Sequence, residues 1–147
     1  FEQQHANAKV SYVATAQALD NEMSERIAKH QSQRPSHWHL IEGPRHLAQS
    51  LSGLVKGSDQ PHCILVDCLT LWLSNALCEE NSETWPAEKE QLLAFINTFQ
   101  NLTTESSASV SQPVKIILVS INQLHGSIIA LNGTPTFIQS TKLISRL

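Results

Sequence analysis

Residues 61–75, PHCILVDCLTLWLSN, constrain the fold more than any other stretch. His62 leads into Cys63–Val66, a run of apolar or β-prone residues that ends in an acid, Asp67. Leu69, Leu71, Trp72, Leu73 and Leu77 then recur at helical spacing. A short apolar run that stops at a turn residue and gives way to an amphipathic segment is the pattern of a βα unit in a parallel sheet. In such sheets ligands sit outside the carboxyl ends of the strands, which is where Asp67 falls. Two readings of Asp67 are open. It meets a nucleotide's magnesium as a Walker-B acid does, or it caps the helix that follows, Asp being a favoured N-cap.

Further units of the same kind flank this one. Val10–Ala14 (VSYVA) reads as a strand, with Thr15 and Ala16 at its carboxyl end. A helix follows, with Asp20 as N-cap, Met23, Ile27 and Ala28 as its apolar stripe, and Glu22 and Arg26 as an i,i+4 pair. Pro35 ends it at or before Arg34. Ser36–Glu42 alternates as a short strand, and Pro44–Val55 carries Leu47, Leu51, Leu54 and Val55 at helical spacing. Gly57–Pro61 is a turn and Glu79–Glu83 an acidic loop. Trp85–Leu102 is the longest helix, with Leu92, Phe95, Ile96, Phe99 and Leu102 on one face. Thr103–Gln112 is a Ser/Thr-rich mobile loop and Val114–Ser120 a buried strand. Ile121–Leu147 has weak periodicity and yields no element.

The order points to a three-layer α/β domain with a mainly parallel sheet, a single domain over residues 1–147. Its topology brings Ala14–Ala16, Asp67 and Ser120–Asn122 to one rim. A net charge of −3 offers no footprint for nucleic acid. No apolar run approaches the roughly 18 residues of a membrane span. Residues 1–10 hold no apolar signal-peptide core. Cys63, Cys68 and Cys78 form no CxxC pair and are expected as small reduced core residues of a cytoplasmic protein.

The histidines offer two constellations. His37 and His39 at i,i+2 on a strand would share a face, which suits a metal, but no third ligand is apparent and a solvated strand face is the expectation. His30 stands near Lys29 and Arg34, and a neutral imidazole beside cations can attack phosphorus, with Arg34 holding a phosphate bidentately. The bland alternative is an exposed structural histidine. No G-x-x-x-x-G-K-[ST], G-x-G-x-x-G or G-x-S-x-G occurs in the 147 residues.

Three segments carry a resemblance: residues 12–42 (YVATAQALDNEMSERIAKHQSQRPSHWHLIE), 64–77 (ILVDCLTLWLSNAL) and 114–120 (VKIILVS). Over roughly residues 8–120 the chain resembles the bifunctional adenosylcobinamide kinase / adenosylcobinamide-phosphate guanylyltransferase family of cobalamin biosynthesis. The resemblance implies a P-loop-type α/β domain assembled as a homotrimer. It implies phosphorylation of adenosylcobinamide by ATP or GTP, then transfer of GMP from GTP to that phosphate through a guanylylated histidine, with Mg²⁺ present. His30 matches the histidine. Nucleotide contacts are implied on Ala14, Thr15, Ala16, Gln31, Ser32, Gln33, Arg34, Glu42 and Asp67, with Asp67 also the magnesium ligand.

Against the family's pattern, the 147 residues start after its first strand and its P-loop ending in Gly-Lys-Ser. The expectation is a domain lacking both, with kinase activity absent or severely weakened and long sheet edges open to association. After Ser120 the family carries an Asn-Glu-Val-Gly-x-Gly-type loop. Here Asn122 is the candidate match and Gln123 stands at the acidic position. A non-catalytic nucleotide-binding or assembly remnant of the family is the alternative.

Overall fold

The computed structural model describes residues 1–78, 84–104, 112–121 and 126–132. Five strands, β1 (Lys9–Ala14), β2 (His39–Glu42), β3 (His62–Asp67), β4 (Val114–Ile121) and β5 (Gly126–Asn132), form one sheet in the order β2-β1-β3-β4-β5. The first four are parallel, and the apolar runs within β3 and β4 fit strands covered on both faces. β5 pairs antiparallel with β4, placing Ile117 opposite Ala130. It lies in the segment where periodicity yields no element. Four helices, α1 (Asn21–Gln33), α2 (Leu47–Lys56), α3 (Leu69–Leu77) and α4 (Thr84–Thr104), connect and cover the strands.

The sequence boundaries shift where capping decides them. β2 is only the second half of Ser36–Glu42, because the Trp38 N–H turns back to the Pro35 carbonyl at 3.2 Å. α2 begins at Leu47 and not Pro44, because His46 takes up a left-handed conformation (φ 53°) as its N-cap. α4 runs two residues past Leu102, so Thr103 and Thr104 are helical and not part of a loop. Residues 79–83, expected as an acidic loop, and 105–111, the rest of the Ser/Thr-rich loop, lie outside the described residues.

Alternation along the strands sorts the sheet into two unlike faces. Val13, Ile64, Val66, Ile116 and Leu118 pack against Leu47 and Leu51 of α2, Leu69 and Trp72 of α3, and Leu92, Ile96 and Phe99 of α4. Each such buried side chain contributes about 1.5–3 kcal/mol relative to exposure, so this face holds the domain together. The opposite face carries Tyr12, Ala14, Leu40, Glu42 and Asp67, with α1 lying above it across a cavity. No α1 residue is buried. Met23 and Ile27 are half-buried, and Ala28, expected in the same stripe, is exposed.

Cys63 and Cys68 are buried as expected. Cys78 is exposed, which corrects the expectation of three core thiols: it follows the last turn of α3, past the buried positions Leu69, Trp72 and Ala76. Among the described residues no helix is long and apolar enough to cross a membrane. The chain moves outward from β1 to β2, then returns past β1 to β3 and β4. The direction of winding therefore reverses between β1 and β3, the crevice where open α/β sheets bind ligands.

Candidate active site at the strand carboxyl ends

The register delivers the site. Ala14, the last residue of β1, pairs with Glu42 on one side and Asp67 on the other, so the ends of three parallel strands finish level. The loops beyond them are fastened to one another. Thr15 is fully buried. Its hydroxyl donates to the Cys68 carbonyl at 2.7 Å and accepts from the Cys68 N–H at 2.8 Å. Asn75 on α3 donates to the carbonyls of Thr15 at 2.7 Å and Pro44 at 3.1 Å. One side-chain amide thus clamps the loops after β1 and β2, and two part-buried carbonyls gain a donor.

α1 and its exit bring His30 and Arg34. Its start is fixed by Asp20, whose carboxylate accepts from the Met23 N–H at 2.7 Å, as the sequence predicts. The expected Glu22–Arg26 pair forms at 2.8 Å on the exposed face. The helix closes at Gln33 because Pro35 forces Arg34 into an extended conformation (ψ 140°). That exit carries Arg34 back over β1, where its guanidinium lies 4.6 Å from the centre of the Tyr12 ring. One turn earlier, the His30 Nδ1 stands 3.7 Å from Oδ2 of Asp67.

Together these groups line a cavity of about 680 Å³, a size suited to a nucleotide-scale ligand. Of the residues singled out from the sequence, Ala14, Ala16, His30, Gln31, Arg34, Glu42 and Asp67 line it. Thr15, Ser32 and Gln33 do not. Thr15 is spent on fastening the loops, and the Ser32 hydroxyl donates to the Lys29 carbonyl at 2.8 Å within its own helix. Asn122 and Gln123 lie outside the described residues.

Asp67 is not a helix cap. Cys68 occupies the N-cap of α3, and the Asp67 carboxylate instead accepts the hydrogen bond of the Tyr12 hydroxyl. The phenol is raised well above its ordinary range, first by burial and then by its bond to this carboxylate, with Arg34 pulling the other way. Tyr12 is therefore a protonated donor at any working pH. The sequence reading passed over both Tyr12 and Asn75. The spacing signal for Tyr12 was present, since it sits two residues before Ala14 and so on the same face.

The His37–His39 pair dissolves. His39 is on β2, but His37 falls in the preceding turn and bonds Glu2 at 2.7 Å. Among the described residues no three metal-ligating side chains stand together. The cavity does line up two carboxylates, Asp67 and Glu42. Both named contacts of Asp67 use Oδ2. That donor set fits a magnesium ion arriving on a nucleotide, which takes one or two carboxylates beside phosphate oxygens and water.

Fold and site define a doubly wound α/β protein with a histidine, an acid and an arginine gathered at its switch point. The chain belongs to the cobinamide kinase / cobinamide phosphate guanyltransferase family, whose model matches residues 2–131. The bifunctional adenosylcobalamin biosynthesis protein CobP of Pseudomonas aeruginosa is 48% identical over 111 residues, 76% of this chain and 55% of that protein. CobU proteins of the same description from Salmonella typhimurium and Escherichia coli are 30% and 27% identical over 112 and 114 residues. The chain spans between 55% and 61% of the length of these relatives.

Proposed function

We propose that these residues form the guanylyl-transfer site of a cobinamide kinase / cobinamide phosphate guanylyltransferase, with His30 as nucleophile toward GTP. The observation that carries the reading is the meeting of His30, Asp67 and Arg34 in one cavity, with the His30 Nδ1 3.7 Å from the Asp67 carboxylate. With Nδ1 facing that acid, Nε2 is the nitrogen left to attack. Its lone pair forms a bond to the α-phosphorus of GTP, the bond from that phosphorus to the bridging oxygen breaks, and pyrophosphate leaves. Asp67 faces the Nδ1–H of the resulting imidazolium and offsets its charge, as an acid does behind a catalytic histidine.

A phosphate oxygen of adenosylcobinamide phosphate then attacks the same phosphorus. The nitrogen–phosphorus bond breaks, GMP passes to the acceptor and His30 is free again. Splitting one displacement into two is the gain of covalent catalysis. Arg34 supplies a fixed positive charge for the phosphoryl oxygens. Asp67 and Glu42 would hold the magnesium, which supplies charge neutralisation on the phosphates. The family's kinase half has no Gly-Lys-Ser motif among these 147 residues, so the guanylyl half is the one proposed for them.

The test is intact-protein mass after incubation with GTP and Mg²⁺. The expected result is a gain of one GMP, lost in acid and missing in His30→Ala. A folded protein that takes up no GMP, or a His30→Ala variant that still does, would overturn the assignment and leave a nucleotide-binding scaffold.

A further inference from the structure

We infer that Tyr12 is a positioning residue for guanylyl transfer, one side chain that sets both the acid behind His30 and the cation beside it. The inference rests on the His30 reading above. Tyr12 is the pivot of three elements. It lies on β1, inside the sheet, with Leu40 and Leu65 as its neighbours in register. Its ring is buried, and its hydroxyl reaches the carboxylate of Asp67 at the end of β3. Its outer face carries the guanidinium of Arg34, at the end of α1.

The two contacts do different things. Asp67 is one fifth exposed, so water could satisfy it without any phenol. What the Tyr12 hydroxyl adds is orientation. It holds the same oxygen, Oδ2, that faces the His30 Nδ1. A separation of 3.7 Å is longer than a hydrogen bond, and catalytic contacts of this kind tighten when substrate arrives. A carboxylate already fixed on one side makes that closure a short movement.

Arg34 follows the last turn of a helix that buries nothing, so its long side chain would otherwise sample many rotamers. Stacking on the Tyr12 face selects arrangements that keep the charge over the cavity. A purely structural tyrosine would need neither the acid nor the arginine, and burial alone would be met by phenylalanine.

Two substitutions separate the roles. Tyr12→Phe keeps the ring and deletes the hydroxyl, whereas Tyr12→Leu deletes both. The rate of GMP attachment to His30 is followed by mass spectrometry in single turnovers against GTP concentration. Tyr12→Phe should lower the saturating rate by about tenfold while leaving the half-saturating GTP within about threefold, because it touches the chemical step and not ground-state binding. Tyr12→Leu should also raise the half-saturating GTP by about tenfold, through the loosened Arg34.

If Tyr12 acts through Asp67, adding Tyr12→Phe to Asp67→Asn should change the rate less than about twofold further. Wild-type rates in Tyr12→Phe, or equal losses from Tyr12→Phe in both backgrounds, would overturn the positioning role while the His30 assignment stood. A wild-type protein that forms no adduct would overturn the His30 assignment, and this inference with it. Thermal unfolding of each variant confirms that rates are compared between folded proteins.

Discussion

Glu88 offers the sharpest stability prediction, because α4 buries a charge where its pattern calls for an apolar side chain. Trp85, Glu88, Leu92, Ile96 and Phe99 follow one helical stripe, and Glu88 is only 5% exposed. Its carboxylate accepts from the Arg45 Nε at 2.8 Å and the Trp72 Nε1 at 3.0 Å, tying the approach to α2 and the body of α3 onto α4. Glu88→Ala removes both acceptors and takes the carboxylate away from a guanidinium whose side chain is itself only 14% exposed. Breaking a buried pair from one side costs about 3–5 kcal/mol. Arg45 keeps other interactions, among them the bond from Nη2 to Thr84 Oγ1 at 2.8 Å, and these soften the loss, so the lower end of that range, about 3 kcal/mol, is expected. Against a total of about 5–15 kcal/mol for a domain, the urea midpoint should fall steeply with an unchanged slope. Tryptophan fluorescence reads the transition, since Trp72 and Trp85 meet edge to face at 5.2 Å beside the pair. The double variant Arg45→Met/Glu88→Met should recover part of the loss, with the Trp72 indole still lacking its acceptor. A Glu88→Ala loss below about 1 kcal/mol would refute the reasoning, since it would put the pair in the range of solvated surface bridges.

Three further outcomes follow from the geometry. Asn75→Ala removes two clamp bonds, so it should cost about 1–3 kcal/mol in denaturation and raise the half-saturating GTP for the His30 adduct; unchanged GTP dependence would separate the clamp from the site. His62 is buried against Ser11 (2.8 Å), and burial, then Lys9, pulls its imidazole down from 6.5 to about 4. The unfolded chain therefore binds the extra proton between those values, and stability should fall as pH drops through that window by up to roughly 3 kcal/mol. His62→Gln should flatten that fall, and equal pH 4.5 and pH 7 midpoints in the wild type would contradict it. Of the three thiols only Cys78 is exposed, and burial also raises the Cys63 thiol. Iodoacetamide should add one group to the native protein and three in denaturant, and two rapid native additions would contradict the burial of Cys68 and Cys63.

What could be read from the sequence is what depends on local pattern. β3 and β4 announce themselves through contiguous apolar runs, Cys63–Val66 and Ile116–Val119, as inner strands of a parallel sheet do. The cap at Asp20 and the stop at Pro35 are local chemistry, and both stand as read. Asp67 could be placed at a strand end from pattern alone, yet its partner could not, because the Tyr12 hydroxyl is 55 residues away in the chain. Thr15 has a role the sequence could not show: its hydroxyl bonds the Cys68 backbone 53 residues away. Glu88 was missed although its signal was local, a charge on an apolar stripe that demands a buried partner.

The unread part of the site has a single physical origin in the division of labour between the two sheet faces. The face that makes the protein stable is written in hydrophobic periodicity, since burial needs only an apolar side chain of about the right size. The face that binds carries polar groups whose meaning lies in what they meet across chain separations no pattern spans. α1 belongs to that second face. It is held by its cap and its connections to the strands, and buries no side chain. Met23 and Ile27 are half-buried around a cavity that a core helix would have filled. A helix that stands off its own sheet in this way forgoes apolar burial, and the room gained is where His30 and Arg34 can face Asp67 and a ligand between them.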